Sequence, residues 1–168
     1  MDTELTRRDA MLGGSAVFAA ALAASPAFGE EPEAGLKSEL LFKMHATLQS
    51  PQFIGKTHEG TRSVFYATGG TVKGPKIKGT VLPGGGDWYR QREDGIGELD
   101  VRATFKTDDG ALIYTHYRGV TNGKTGYFRT TPRFETSSEK YQWLTQLVAV
   151  GVGHAGDGGV YYDVYHIL

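Results

Sequence analysis

Cysteine is absent from the 168 residues. No disulfide can staple the chain, and no thiolate is available for catalysis or for a zinc site. A long apolar run is missing too. The one extended candidate, Met11–Ala24, is short and alanine-rich, which argues against stable membrane insertion. Charge of one sign is not in excess: 18 basic residues face 19 acidic ones. A chain so balanced has no general electrostatic pull on nucleic acid, and none is expected as a partner. The five histidines, His45, His58, His116, His154 and His166, form no pair at metal-ligand spacing, so no metal is expected. Neither a Gly-x-Ser-x-Gly elbow nor a phosphate-binding lysine after Gly84-Gly85-Gly86 is present, and that triplet reads as a turn.

The first 27 residues read as an export signal. Arg7 and Arg8 precede the Met11–Ala24 run, and Ser25-Pro26-Ala27 supplies small residues for cleavage after Ala27, with Gly29 as the second choice. Thr6-Arg7-Arg8-Asp9-Ala10-Met11-Leu12 resembles the twin-arginine motif, although Ala10 stands where a bulky apolar residue is usual, and an ordinary secretory signal is the alternative. The expected location is periplasmic or secreted. Removing the leader takes two of the 18 basic and three of the 19 acidic residues, leaving 16 of each and a neutral mature chain. Residues 28–38 read as a linker and residues 39–168 as one domain, long enough to build a core without covalent staples.

What that domain does have is glycine, punctuating strand-like runs; the whole chain holds 24. Leu40, Phe42, Met44, Ala46 and Leu48 recur at period two, the signature of a strand with one buried face. Further runs follow at Thr61–Thr68, Lys76–Leu82, Asp87–Arg92, Glu98–Thr107, Ala111–Gly119, Thr125–Arg133, Val148–Val152 and Val160–Ile167. Asp94-Gly95, Asp109-Gly110 and Asn122-Gly123 supply hairpin turns between them. Thr136 followed by Glu139 resembles a capping box, and Tyr141, Leu144 and Val148 continue at helical spacing, so one short helix is expected over Ser138–Leu147. The sum is an all-β fold: a single antiparallel barrel or sandwich of about eight to ten strands with one short helix.

The candidate chemistry lies in polar residues inside these runs. In Glu98–Lys106 the sequence separates Leu99, Val101, Ala103 and Phe105 from Glu98, Asp100, Arg102, Thr104 and Lys106. A solvated outer face explains the second set, while a wide barrel turning Asp100 and Arg102 inward is the sharper alternative. Glu135 either serves the positive end of the helix or acts as a proton donor or acceptor, its pKa raised among Phe134, Tyr141 and Trp143. Tyr114 shares a face with His116 and Arg118, opposite Ile113, Thr115 and Tyr117, and reads either as a hydrogen-bond donor into a cavity or as core. Trp88 and Trp143 either line a ligand cavity or plug a barrel end.

The segments GGTVKGPKIKGTVLPGGGDW, LDVRATFKTDDGALIY and YFRTTPRFETSSEKYQWL, with the Asp94-Gly95 turn, resemble the domain of unknown function family 3237 from about Leu40 to Leu168. The resemblance implies a calycin-like or lipocalin-like β-barrel. It carries no established activity, and so transfers no catalytic roles. Its recurring polar positions correspond here to Asp87, Trp88, Asp94, Arg102, Asp109, Arg129 and Glu135, of which Asp94 and Asp109 read as turn residues.

Three functions compete. A barrel could hold a small, partly apolar molecule in its lumen, with Trp88, Tyr114, Arg129, Tyr141 and Trp143 around it. A cofactor-free lyase, isomerase or cyclase would use Glu135 or Asp87 as acid or base and Arg102 to stabilise developing negative charge. A homo-oligomeric structural protein would use its polar strand faces as subunit contacts. The directions of Arg102 and Glu135 discriminate: inward for the first two, toward another subunit for the third.

Overall fold

The structure is a computed structural model that describes residues 35–168. The leader, its cleavage point and the first part of the linker lie outside the described residues. Twelve strand segments follow in antiparallel order: β1 Ser38–Leu48, β2 Gln52–Thr57, β3 Gly60–Lys73, β4 Lys78–Val81, β5 Gly86–Asp87 and β6 Arg90–Gln91 come first. β7 Ile96–Thr107, β8 Leu112–Asn122, β9 Tyr127–Thr130 and β10 Arg133–Glu135 then lead into a 3₁₀ helix, Glu139–Gln146, and the chain ends in β11 Ala149–Gly156 and β12 Gly159–Ile167.

These segments form a closed barrel of eight antiparallel staves, because three staves are interrupted. β4, β5 and β6 succeed one another between β3 and β7, β9 and β10 both pair with β8, and β2 continues beyond β1 along β3. Proline accounts for one interruption in each stave: Pro51 separates β1 from β2, Pro83 separates β4 from β5, and Pro132 separates β9 from β10. Proline cannot donate to a ladder, so a stave that carries one must break there. The ring runs from β8 through β9, β11, β12, β1 and β3 to the β4–β6 stave, and β7 closes it by pairing with both that stave and β8.

Closure leaves β7 with one dry and one wet face. Leu99, Val101, Ala103 and Phe105 are buried, while Arg102 and Lys106 are exposed and Glu98 and Asp100 half-buried. The inward option for Asp100 and Arg102 is thereby corrected: one-residue alternation puts them outside once Val101 and Ala103 face in. The expected end of the Thr61–Thr68 run is corrected too, since β3 continues through Gly69 and Gly70. A side chain on Gly70 would place its Cβ 2.0 Å from the His45 carbonyl oxygen of β1, and φ there is +147°. Strand β2, unexpected from the sequence, pairs only with β3 and exposes Phe53 and Ile54 in succession, so no alternation announced it.

The barrel has an open and a closed end. Phe42 meets Phe105 and Phe134 edge-to-face, each at 5.9 Å, and Ile113 and Leu144 are fully buried beside them. The helix is the plug. It begins at Glu139 behind Ser138 rather than behind Thr136, whose hydroxyl donates to the Leu112 carbonyl and accepts the Ser138 amide instead. With three residues per turn, Tyr141, Leu144 and Leu147 fall on one face; Val148, placed on that face by an α-helical spacing, is exposed.

Asp109, in the β7–β8 turn, ties this plug down. Its carboxylate accepts the Tyr141 hydroxyl at 3.1 Å, pairs with the Lys140 ammonium and takes the Thr107 hydroxyl as a third donor. Lys140, then Thr107 and Tyr141, hold its pKa well below the usual carboxylate range. A depressed carboxylate contributes stability above its unfolded value, and loses it as pH falls through the folded one. Asp109→Asn is therefore expected to lower the melting temperature at pH 7. That deficit should shrink as pH is taken below about 3.8, and an equal deficit at both ends would refute the ion-pair account.

Candidate functional site

The open half of the barrel encloses a cavity of about 650 Å³. Its wall is largely apolar: Met44, Ala46, Phe65, Ala67, Val81, Leu99, Val101, Ala103, Phe128 and Val160. Asp87 is the one acidic residue on it. The two basic residues at its edge, Arg102 and His154, occupy exposed positions that alternate with inward ones on β7 and β11.

Register fixes Asp87 in this wall. It lies opposite Phe65 of β3 and Val101 of β7, and Val101 in turn lies opposite Tyr117 of β8. Cross-strand partners share a face, so all four point inward. The stave breaks one residue later: the Trp88 carbonyl accepts Arg62 Nη1 at 2.7 Å, and the Asp100 amide donates to Asp87 Oδ1 at 3.0 Å. That amide bond is the only one found for the Asp87 carboxylate among the described residues. Burial raises the Asp87 pKa to about 6; the amide bond lowers it and Asp100 raises it, with Arg62 lowering it slightly.

Two phenols accompany the carboxylate. Tyr117 and Tyr162 are 7% and 3% exposed, with ring centroids 5.7 Å apart, edge-to-face. Both pKa values are raised, chiefly by burial, for Tyr162 also by its Tyr117 neighbour, and further by the negative charge of Asp87. Both phenols therefore stay protonated and able to donate. A base poised near neutrality beside two neutral donors, in a largely apolar chamber, can move a proton and stabilise an oxyanion.

The structure scatters the other sequence-derived candidates. Trp88 and Arg102 lie outside, the Arg102 guanidinium 5.1 Å from the Trp88 ring and 3.3 Å from Asp100. Glu135 is exposed on β10, with His116 at 3.8 Å and Tyr114 opposite it across the ladder. Tyr114 stacks on His116, away from the buried face of β8. Arg129 lies over Tyr127 on the outer surface. Tyr141 and Trp143 belong to the plug, Tyr141 bonded to Asp109 and Trp143 capped by Lys76. Of the eight, only Asp87 and, at the edge, Arg102 line the cavity. Sequence reasoning passed over Tyr117 and Tyr162. Tyr117 shares its face with Ile113 and Thr115, and that more apolar set was the signal for the inward side. Among the described residues no group of three or more histidines or carboxylates is placed to hold a metal ion.

Closed antiparallel staves, one plugged end and an internal cavity define a small hollow β-barrel. The chain belongs to the family described as protein of unknown function (DUF3237), whose model matches residues 36–167. It is similar to a UPF0311 protein of Rhodopseudomonas palustris, 34% identical over 149 residues, covering 79% of this chain and 97% of that one. A β-barrel like protein from Acinetobacter baumannii superimposes with a TM-score of 0.75 at 35% identity, covering 79% of this chain and 96% of the other. The hydroalkoxylation enzyme phnH of Penicillium herquei is 30% identical over 113 residues, covering 67% of this chain and 71% of that enzyme.

Proposed function

We propose that the lumen binds a small, largely apolar, neutral molecule and that Asp87 moves a proton on it, in an exported, periplasmic or secreted enzyme. The observation that carries this reading is the Asp87 carboxylate in an apolar chamber, its pKa raised to about 6 beside two protonated tyrosines. The arrangement suits addition of a hydroxyl across a carbon–carbon double bond conjugated to a carbonyl, within one molecule. Asp87 takes the hydroxyl proton, the oxygen forms a bond to the β carbon, and the π electrons move to the carbonyl oxygen. Tyr117 and Tyr162 donate hydrogen bonds to that oxyanion, and Asp87 returns the proton to the α carbon. Nothing is gained or lost overall. The relationship to a hydroalkoxylation enzyme supports this choice of reaction.

The test uses a hydroxychalcone whose phenol sits ortho to the enone carbonyl, with ring closure read by loss of the enone absorbance. Acceleration by the wild-type chain supports the reading. Tyr117→Phe is expected to slow closure by roughly 10²-fold, the effect of removing one oxyanion donor, without displacing a lumen-bound hydrophobic fluorophore. If the fluorophore binds but no hydroxy enone is turned over, the barrel is a carrier and the catalytic reading fails.

A further inference from the structure

The outer surface holds a second concavity, a groove of about 930 Å³ lined from β3, β6, β7, β8, β9 and β11. Four arginines open on it, Arg62, Arg90, Arg118 and Arg129, against two carboxylates, Glu98 and Asp100. Two of the arginines are satisfied. Arg62 donates to the Trp88 carbonyl and lies 3.4 Å from Glu59, and Arg90 is bound to Glu98 and, at 3.0 Å, to Glu59. The other two are not. Asp100 stands opposite Arg118 across the β7–β8 ladder but pairs with Arg102, and among the described residues no carboxylate lies within 4.0 Å of Arg118.

Arg129 is in the same condition but is held rigidly. Its cross-strand neighbours are Val120 and Val152, and no described carboxylate reaches it. Its Nη1 donates to the Phe128 carbonyl at 2.9 Å, and its guanidinium lies 4.9 Å from the centre of the Tyr127 ring. Arg118 is two residues along β8 from Val120, so Arg118 and Arg129 occupy diagonal positions of the ladder, their backbones roughly 7–8 Å apart. Two arginines on neighbouring positions, neither paired with a described carboxylate, favour a negative group between them. A guanidinium immobilised in advance also loses little freedom when it binds a planar anion.

We propose that this groove is an oxyanion-binding site, in which Arg118 and Arg129 together hold a carboxylate or phosphate group and Tyr127 and Val120 receive the body of the ligand. It opens outward and shares only Leu99 and Tyr127 with the lumen, so it stands apart from the reaction assigned to Asp87.

Isothermal titration with inorganic phosphate and, separately, benzoate at fixed ionic strength tests it. Saturable one-site binding of either is expected. Arg129→Lys, which keeps the charge but not the fork, should weaken it about tenfold. Arg118→Ala combined with Arg129→Ala should abolish it, and Arg133→Ala, exposed outside the groove, should leave it unchanged. Phosphate alone would point to a phosphate-bearing ligand, benzoate alone to an organic carboxylate, and either result upholds the site. Circular dichroism of each variant checks that the barrel persists. Absence of saturable binding in the wild-type chain, or binding that survives the double substitution in a folded barrel, overturns the proposal.

Discussion

Replacing Asp87 by asparagine is expected to slow closure of the hydroxychalcone by roughly 10²–10⁴-fold, the range of a lost general base. The same change is expected to raise the melting temperature at pH 8. The two effects share one cause. A carboxyl moved from 3.8 in the unfolded chain to about 6 in the barrel binds its proton more tightly when folded. Burying its charged form therefore costs up to about 3 kcal/mol above pH 7, and that cost vanishes below about pH 4, where both states are protonated. The Asp87→Asn variant has no charge to bury at this position, while its side-chain oxygen can still accept the Asp100 amide. Stabilisation at pH 8 but not at pH 4, together with lost turnover, would mark Asp87 as a group kept for chemistry at the expense of stability. A variant destabilised at every pH would instead assign Asp87 to bridging the broken stave. In the wild-type chain, turnover should fall about tenfold per pH unit below 6, because only the carboxylate form accepts a proton.

The second large effect concerns the closed end. Phe42→Ala is expected to cost about 3–5 kcal/mol, since Phe42 is 1% exposed and contacts both Phe105 and Phe134. No disulfide limits the unfolded chain, so this is a large fraction of the roughly 5–15 kcal/mol that holds a typical domain together. Chemical denaturation should show the loss as a lower midpoint with an unchanged slope. A loss under about 1 kcal/mol would mean that the plug helix collapses into the space Phe42 leaves. Phe42 lines the plugged end rather than the cavity, so fluorophore binding per folded molecule should be preserved.

Much of the fold was legible because strand alternation is local. Leu99, Val101, Ala103 and Phe105 declare their face without reference to any other strand, and Asp94-Gly95 declares its turn. The helix was legible as an element but not as a 3₁₀ helix, because the bond that draws the Thr136 hydroxyl to the Leu112 carbonyl depends on β8 lying alongside. The site was legible only at Asp87. Arg102 and Glu135 looked like its partners because they are charged and sit inside strand-like runs, yet strand alternation sends Arg102 outward, and Glu135 lies exposed on β10. Tyr162 is 75 residues further along the chain than Asp87, and nothing local connects them.

Local sequence alone specifies a cysteine-free all-β chain with glycine turns, because turn geometry and residue periodicity act over a few residues. Ring closure decided the rest. Only when β8 and β12 meet their neighbours across the barrel do Tyr117 and Tyr162 reach the same apolar chamber as Asp87. There, burial turns an ordinary surface-type carboxyl into a base poised near neutrality.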